Sequence, residues 1–172
     1  QDRFAIYQQP IRALEQHTNG LHYELLLRLR GEADNLITPA SFISSAERYG
    51  LMPQIDRWVI RHYFRWLQQQ PAHLQQLNLC HINLSGSSLL DPGFKDDVQQ
   101  LFEQFQIPYQ RICFEISESV AIINLQSTLA FIEHYRSQGC RFALDDFGSG
   151  FSSYSYLKHF PLDFVKIDGH FV

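Results

Sequence analysis

No apolar stretch in this chain approaches the roughly 18 to 20 consecutive residues that a membrane-spanning helix requires. The polar opening Gln1-Asp2-Arg3 also lacks the apolar core of a signal peptide. Cysteine is scarce: Cys80, Cys113 and Cys140 are odd in number and follow neither a disulfide framework nor a zinc-knuckle spacing. Each sits at or just before an apolar run, so buried, reduced thiols are expected, and with them a cytoplasmic domain that makes no membrane contact of its own and can belong to a larger membrane-bound protein. A basic excess is missing too. With 14 Lys and Arg against 18 Asp and Glu, the formal net charge of −4 excludes a duplex nucleic acid as partner, because binding a polyanion needs a cationic face. A small anionic ligand needs only a few local cations, or metal ions held by acids.

Several motifs are absent as well. No Gly-Lys-Ser/Thr ending marks a phosphate loop of the Walker type, and no G-x-G-x-x-G marks a dinucleotide fold. The eight histidines form no H-E-x-x-H, and no G-x-S-x-G elbow supports a Ser/His/Asp esterase. No linker-like run of Gly, Ser and Pro interrupts the chain, so residues 1–172 read as one domain.

What is present is an alternation of short strand-like runs with amphipathic helices, the pattern of an α/β domain. Strands are expected at 4–9, 22–30, 80–84, 111–117, 141–146 and 164–168. Thr38-Pro39 starts a helix that Gly50 ends. A second helix runs to about Gln69, with Ile55, Trp58, Val59, His62 and Trp66 on one face. Asp91-Pro92 opens a third, with a stripe of Val98, Leu101, Phe102 and Phe105. Leu125, Leu129 and Ile132 line a fourth that Gly139 terminates.

Within the strands, alternation separates a polar face from an oily one. His22, Glu24 and Arg28 oppose Tyr23, Leu25 and Leu27; His81 and Asn83 oppose Cys80, Ile82 and Leu84; Lys166 and Asp168 oppose Val165 and Ile167. Helices covering the oily faces would leave the polar ones turned inward. Asn83, Glu115 and Asp145 are spaced roughly 30 residues apart, the length of a βα repeat. The expected fold is therefore a TIM-like (β/α)8 barrel, whose chemistry sits at the carboxyl ends of the strands. An open doubly wound sheet is the alternative, but its switch-point site draws on fewer strands.

In the barrel, Glu24, Asn83, Glu115, Asp145 and Asp146 converge on one rim as hard oxygen ligands suited to Mg²⁺ or Mn²⁺. Adjacent Asp145 and Asp146 suit two ions, the arrangement that clamps attacking and leaving oxygens in phosphoryl transfer. The bland alternative is a set of solvated acids at loop starts. Lys166, beside Asp168, is placed to orient a water, and Arg28 to meet a phosphate oxygen or to line the barrel as a salt bridge. Asp146-Phe147-Gly148-Ser149-Gly150, followed by Ser152-Ser153, is a glycine-rich loop that can approach a phosphate closely. His22 and His81 read as hydrogen-bonded barrel lining.

These residues resemble the EAL family of cyclic di-GMP phosphodiesterases. Tyr7-Gln8-Gln9-Pro10-Ile11 is similar to the family's Y-x-Q-P-I, and Tyr23-Glu24-Leu25-Leu26-Leu27-Arg28 to E-A-L-L-R, with Leu25 in place of the alanine and pointing to the helix side. Residues 39–51 resemble its F-I-x-x-A-E-x-x-G-L helix, and Ile82-Asn83-Leu84-Ser85 its V-N-L-S. Glu115-Ile116-Ser117-Glu118-Ser119 resembles E-I-T-E-S, Ala143 to Ser153 resembles A-L-D-D-F-G-T-G-x-S-S, and Lys166-Ile167-Asp168 completes the series.

The resemblance implies two Mg²⁺ or Mn²⁺ ions held by Glu24, Asn83, Glu115, Asp145 and Asp146, with water activation by Lys166 and Asp168. It also implies phosphate contact by Arg28, guanine contact near Gln9, and a Glu118 that holds the loop beginning at Asp146. The activity implied is hydrolysis of cyclic di-GMP to the linear dinucleotide, as the output of a longer protein with attached GGDEF or sensor domains and a possible homodimer. A non-cleaving cyclic di-GMP receptor and a barrel kept for protein contacts are the rival readings. Two further strands carrying an A-E-G-V-E segment follow in that family. Since a (β/α)8 barrel takes at least about 200 residues, these 172 on their own are expected neither to close the cylinder nor to turn over substrate.

Overall fold

The computed structural model describes residues 3–14, 20–31, 35–148 and 160–171. Its sheet follows the expected alternation, with β1 at Phe4–Pro10, β2 at Leu21–Arg30, β4 at Leu77–Asn83, β5 at Ile112–Ser117, β6 at Arg141–Phe147 and β7 at Phe164–Ile167. A two-residue strand, β3 (Leu36–Ile37), was not expected, because two residues carry no period. The spatial order is β1-β2-β4-β5-β6-β7, with β3 beside β2. β1 and β3 run antiparallel to β2, whereas β2, β4, β5, β6 and β7 are successively parallel.

Helices return the chain from β2 to β4, from β4 to β5 and from β5 to β6. They are α1 (Pro39–Arg48), α2 (Met52–Gln69), α3 (Pro71–Gln76), α4 (Gly86–Leu90), α5 (Phe94–Phe105), α6 (Glu118–Ile123) and α7 (Leu125–Ser137). Thr38 caps α1 by position, with Pro39 in the first turn, though its side chain makes no capping bond to the backbone; Gly50 follows at φ 65°. The expected start, with Asp91 as cap and Pro92 in the first helical position, lies two residues ahead of the observed one. Gly93 holds the cap position of α5, and Asp91 accepts from the Gly93 N–H at 2.9 Å while pairing with Arg57 at 3.1 Å.

The oily strand faces and the helices form one core. Leu25, Ile82, Phe114, Ile116, Phe142 and Leu144 meet Ile60, Phe64 and Leu67 of α2, Val98, Leu101 and Phe102 of α5, and Phe131, Ile132 and Tyr135 of α7. Edge-to-face pairs lock this layer: Phe102 on Phe114 at 6.4 Å and Phe131 on Phe142 at 6.2 Å. Leu25 is buried on the helix side, so Glu24 and Arg28 keep the inner face.

The buried arc of α2 is rotated from the expected one. It comprises Ile55, Asp56, Val59, Ile60, Tyr63, Phe64 and Leu67. Trp58 and His62 stack on each other at the margin beside Phe4, and Trp66 is 41% exposed. The wide indole rings sit where the helix edge meets β1, while slimmer side chains take the centre. In α7 the arc is Thr128, Phe131, Ile132 and Tyr135, and Leu125 is exposed. All three cysteines are unpaired and buried, as expected. No helix among the described residues is long and apolar enough to cross a membrane.

Asp56 is a charged residue inside an otherwise apolar arc. Its carboxylate accepts from the Ser85 N–H at 2.9 Å and the Ser88 hydroxyl at 2.6 Å, and so ties α2 to the loop that follows β4. Burial raises its pKa, and the serine hydrogen bonds only partly offset that. A raised carboxyl pKa gives stability that is full below the unfolded value near 3.8 and is lost as pH rises through the folded value. Asp56→Ala, which strands the buried donors, should cost about 1 to 3 kcal/mol in denaturant unfolding at pH 7. Asp56→Asn should gain on the wild type as pH is raised from 4 to 7. An Asp56→Ala protein as stable as the wild type would contradict the clamp.

Candidate active site at the carboxyl ends of the strands

Parallel pairing sets the heights of the inward side chains. Asn83 on β4 lies level with Glu115 on β5, and Glu115 level with Ala143 on β6, one inward position below Asp145. Glu24 sits in the middle of β2, level with His81. This stagger brings one ligand atom from each of Glu24, Glu115 and Asp145 within 4.8 Å of one another. Glu115 is fully buried.

Lys166 reaches into this group from β7. Its ammonium donates to Glu115 at 2.7 Å and to Glu24 at 2.9 Å, and lies 3.3 Å from Asp145. Burial works against the ammonium, but the bond and charge of Glu115, and then those of Glu24, outweigh it and hold the lysine pKa above its ordinary value. Asn83 donates its amide to Glu24 at 2.7 Å. Four of the five expected ligands therefore sit together, and their all-oxygen donor set fits a hard divalent cation.

The other expected residues are placed as follows. Asp146, although adjacent to Asp145, stands outside the three-carboxylate group and lines a separate recess with Asn83, Ser85 and Ser117. The reason lies in the backbone. The β6–β7 register shifts between Leu144 and Phe147, and Asp146 takes a left-handed φ of 55°, which an aspartate tolerates better than most side chains. Burial, and then the charges of Asp145 and Asp168, raise its pKa.

Asp168 does not touch Lys166 as alternation suggests. β7 ends at Ile167, and Asp168 turns to accept from the His170 N–H at 2.8 Å and its Nδ1 at 2.6 Å, which lowers its pKa. Arg28 shares the Glu24 face and donates to the Leu27 carbonyl at 2.8 Å. Gln9 pairs opposite Glu24 on β1. Together with Ile11, His22, Glu24, His81 and Lys166, Gln9 lines a cavity of about 330 Å³ between β1 and β7.

Glu118, 1% exposed at the start of α6, accepts from the Gly148 N–H at 2.9 Å. Gly148 is at φ 94°, and a Cβ there would lie 2.7 Å from the Phe171 ring, so the position requires glycine. The remainder of the expected glycine-rich loop, Ser149 to Ser153, lies outside the described residues.

Asp56 has a part in the site that the sequence does not single out, and for His81, expected as hydrogen-bonded lining, the sequence does not give the partner. Asp56 was passed over, although a lone carboxylate among the apolar positions of α2 was a usable signal. His81 was read only as lining, yet its Nδ1 donates to Glu115 at 2.5 Å. Alternation gives the face but not the partner, which depends on the stagger between strands.

Comparison with known proteins agrees with this geometry. The EAL domain family profile matches residues 1–172. A relative named cyclic di-GMP phosphodiesterase PdeB, from Shewanella oneidensis, is 44% identical over 172 residues, all of this chain and 20% of its own length. Among solved structures, the PaMucR phosphodiesterase in complex with c-di-GMP superposes with a TM-score of 0.86 at 30% identity, covering 98% of this chain and 68% of that one. The FimX EAL domain from Pseudomonas aeruginosa bound to c-di-GMP gives a TM-score of 0.88 at 29% identity, covering 99% and 67%. The chain thus spans about a fifth of the length of the curated relative. With a family profile matched from end to end and a TIM-like barrel arc shared with solved members, the chain belongs to the EAL domain family.

Proposed function

We propose that this domain hydrolyses one phosphodiester bond of cyclic di-GMP to give the linear dinucleotide, as the output part of a longer cytoplasmic signalling protein. Two Mg²⁺ or Mn²⁺ ions are the cofactors in this reading, held by Glu24, Asn83, Glu115, Asp145 and Asp146. The observation that carries it is the convergence of Glu24, Glu115 and Asp145, with Lys166 against them, where the parallel strands end. A divalent cation bound there would supply a water of lowered pKa and neutralise phosphate charge.

The chain's own residues do the rest. Lys166, fixed by two carboxylates, donates a hydrogen bond that orients the attacking water and offsets charge growing on the phosphate oxygens. Arg28 offers its planar fork to a phosphate oxygen. Gln9, facing the cavity between β1 and β7, contacts a guanine edge. Glu118 holds Gly148, and so fixes the backbone that leaves Asp146. Asp168, held by His170 at the end of β7, assists Lys166 in water activation without touching it. The names of PdeB and PaMucR, both phosphodiesterases, and the c-di-GMP in the PaMucR and FimX structures support this choice of substrate.

Hydrolysis of cyclic di-GMP in Mg²⁺, measured on the full natural chain, is the test. Glu24→Ala, Asn83→Ala and Asp145→Ala should each lower turnover ~100-fold or more, because each removes an oxygen from the shared site. Unchanged rates in all three at saturating Mg²⁺ would remove the metal assignment, and binding without turnover by the wild type would make the domain a receptor. Ca²⁺ should occupy the site but not support turnover, since its longer and looser bonds misplace the water. Equal rates in Ca²⁺ and Mg²⁺ would contradict that.

A further inference from the structure

On the same inner face, two histidines form a pair that the proposed chemistry does not use. His22 lies two residues before Glu24 on β2, and His81 two residues before Asn83 on β4, so both point inward beneath the site. Their Nε2 atoms are 2.7 Å apart and their ring centroids 4.9 Å apart, so the rings meet edge to edge, with the Phe164 ring 5.5 Å from His81. His81 is 2% exposed. Its other nitrogen, Nδ1, is 2.5 Å from one oxygen of Glu115, while the second oxygen of that carboxylate takes the Lys166 ammonium at 2.7 Å.

We propose that His81, held in turn by His22, is a positioning residue that fixes the orientation of the Glu115 carboxylate toward the cation site. The inference rests on the reading of Glu115 as a metal ligand. A carboxylate at the end of a flexible glutamate side chain rotates about its terminal torsion unless both oxygens are engaged. Here one oxygen is anchored from below by an N–H donor, so only the other is turned to the rim. With both rings neutral, one proton arrangement satisfies every contact: His22 Nε2–H donates to His81 Nε2, and His81 Nδ1–H donates to Glu115. Partners of this kind, one bond removed from the metal, fix ligand direction and raise ligand affinity. A histidine present only to fill space would need neither the directed bond to Glu115 nor a second histidine at its far nitrogen.

The test is Mn²⁺ affinity, read by the electron paramagnetic resonance signal of free Mn²⁺, on the full natural chain without substrate. Thermal melts verify that each variant is folded. His81→Phe keeps a planar ring but removes the donor, and it should weaken Mn²⁺ binding by about 10- to 100-fold. His81→Gln, whose amide restores an N–H, should recover most of that loss. His22→Phe, which removes only the outer bond, should weaken binding by a smaller factor, and it decides the matter if His81→Phe does not fold. Wild-type affinity in the folded His81→Phe protein, or in folded His22→Phe where His81→Phe fails, alongside weak binding by Glu115→Gln, overturns the positioning role and leaves the metal site standing. Wild-type affinity in Glu115→Gln, or no Mn²⁺ binding by the wild type, overturns the metal assignment and this inference with it.

Discussion

Carboxylates brought close together repel, and the inner rim of this barrel holds three of them within 4.8 Å of one another. Two unit charges 4 Å apart interact by roughly 4 kcal/mol at an effective dielectric constant of 20. With three such pairs, the repulsion at the rim calls for a cation. Lys166 meets that need here, touching Glu24, Glu115 and Asp145 at once. The same demand suits the site to a divalent ion: a rim that a single ammonium balances only in part holds residual negative charge at one point.

Strand geometry makes this crowding unavoidable. Side chains alternate along each strand, so a strand that buries an oily outer face must turn its remaining groups inward. Parallel pairing then staggers those groups, with His81 level with Glu24 and one inward position below Asn83 and Glu115, and His22 one position below Glu24. The helices contribute through their burial of Phe114, Phe142 and their neighbours, which keeps the outer face dry. They also place two clamps. Asp56 on α2 grips the loop after β4, next to Asn83, and Glu118 on α6 grips Gly148 after β6. Both are buried acids in helices, each tying down the exit of a strand that carries a proposed ligand.

Most of this was legible from the residues. The six strands, the inward face of each and the convergence of Glu24, Asn83, Glu115 and Asp145 follow from period-two alternation and the spacing of βα repeats. The details that escaped depend on local departures from that period. Asp146 was expected beside Asp145, but the register shift and its positive φ send it to another recess. Asp168 was expected against Lys166, but β7 stops one residue earlier and His170 takes the carboxylate. The α2 face was expected to carry Ile55, Trp58, Val59, His62 and Trp66, of which only Ile55 and Val59 are buried. Helical periodicity gives the width of an apolar arc but not which part of it a neighbouring layer covers. The bond from His81 to Glu115 is a contact between strands, fixed by stagger and invisible in either segment alone.

The central claim is that the Glu24, Glu115 and Asp145 oxygens form the cation site. A crystal of the full natural chain grown with Mn²⁺ and measured at the manganese absorption edge tests this directly. The account predicts an anomalous peak lying about 2.2 Å from oxygens of all three carboxylates. A peak elsewhere on the barrel, or none at saturating Mn²⁺ with the Lys166 ammonium still seated among the three, would contradict it.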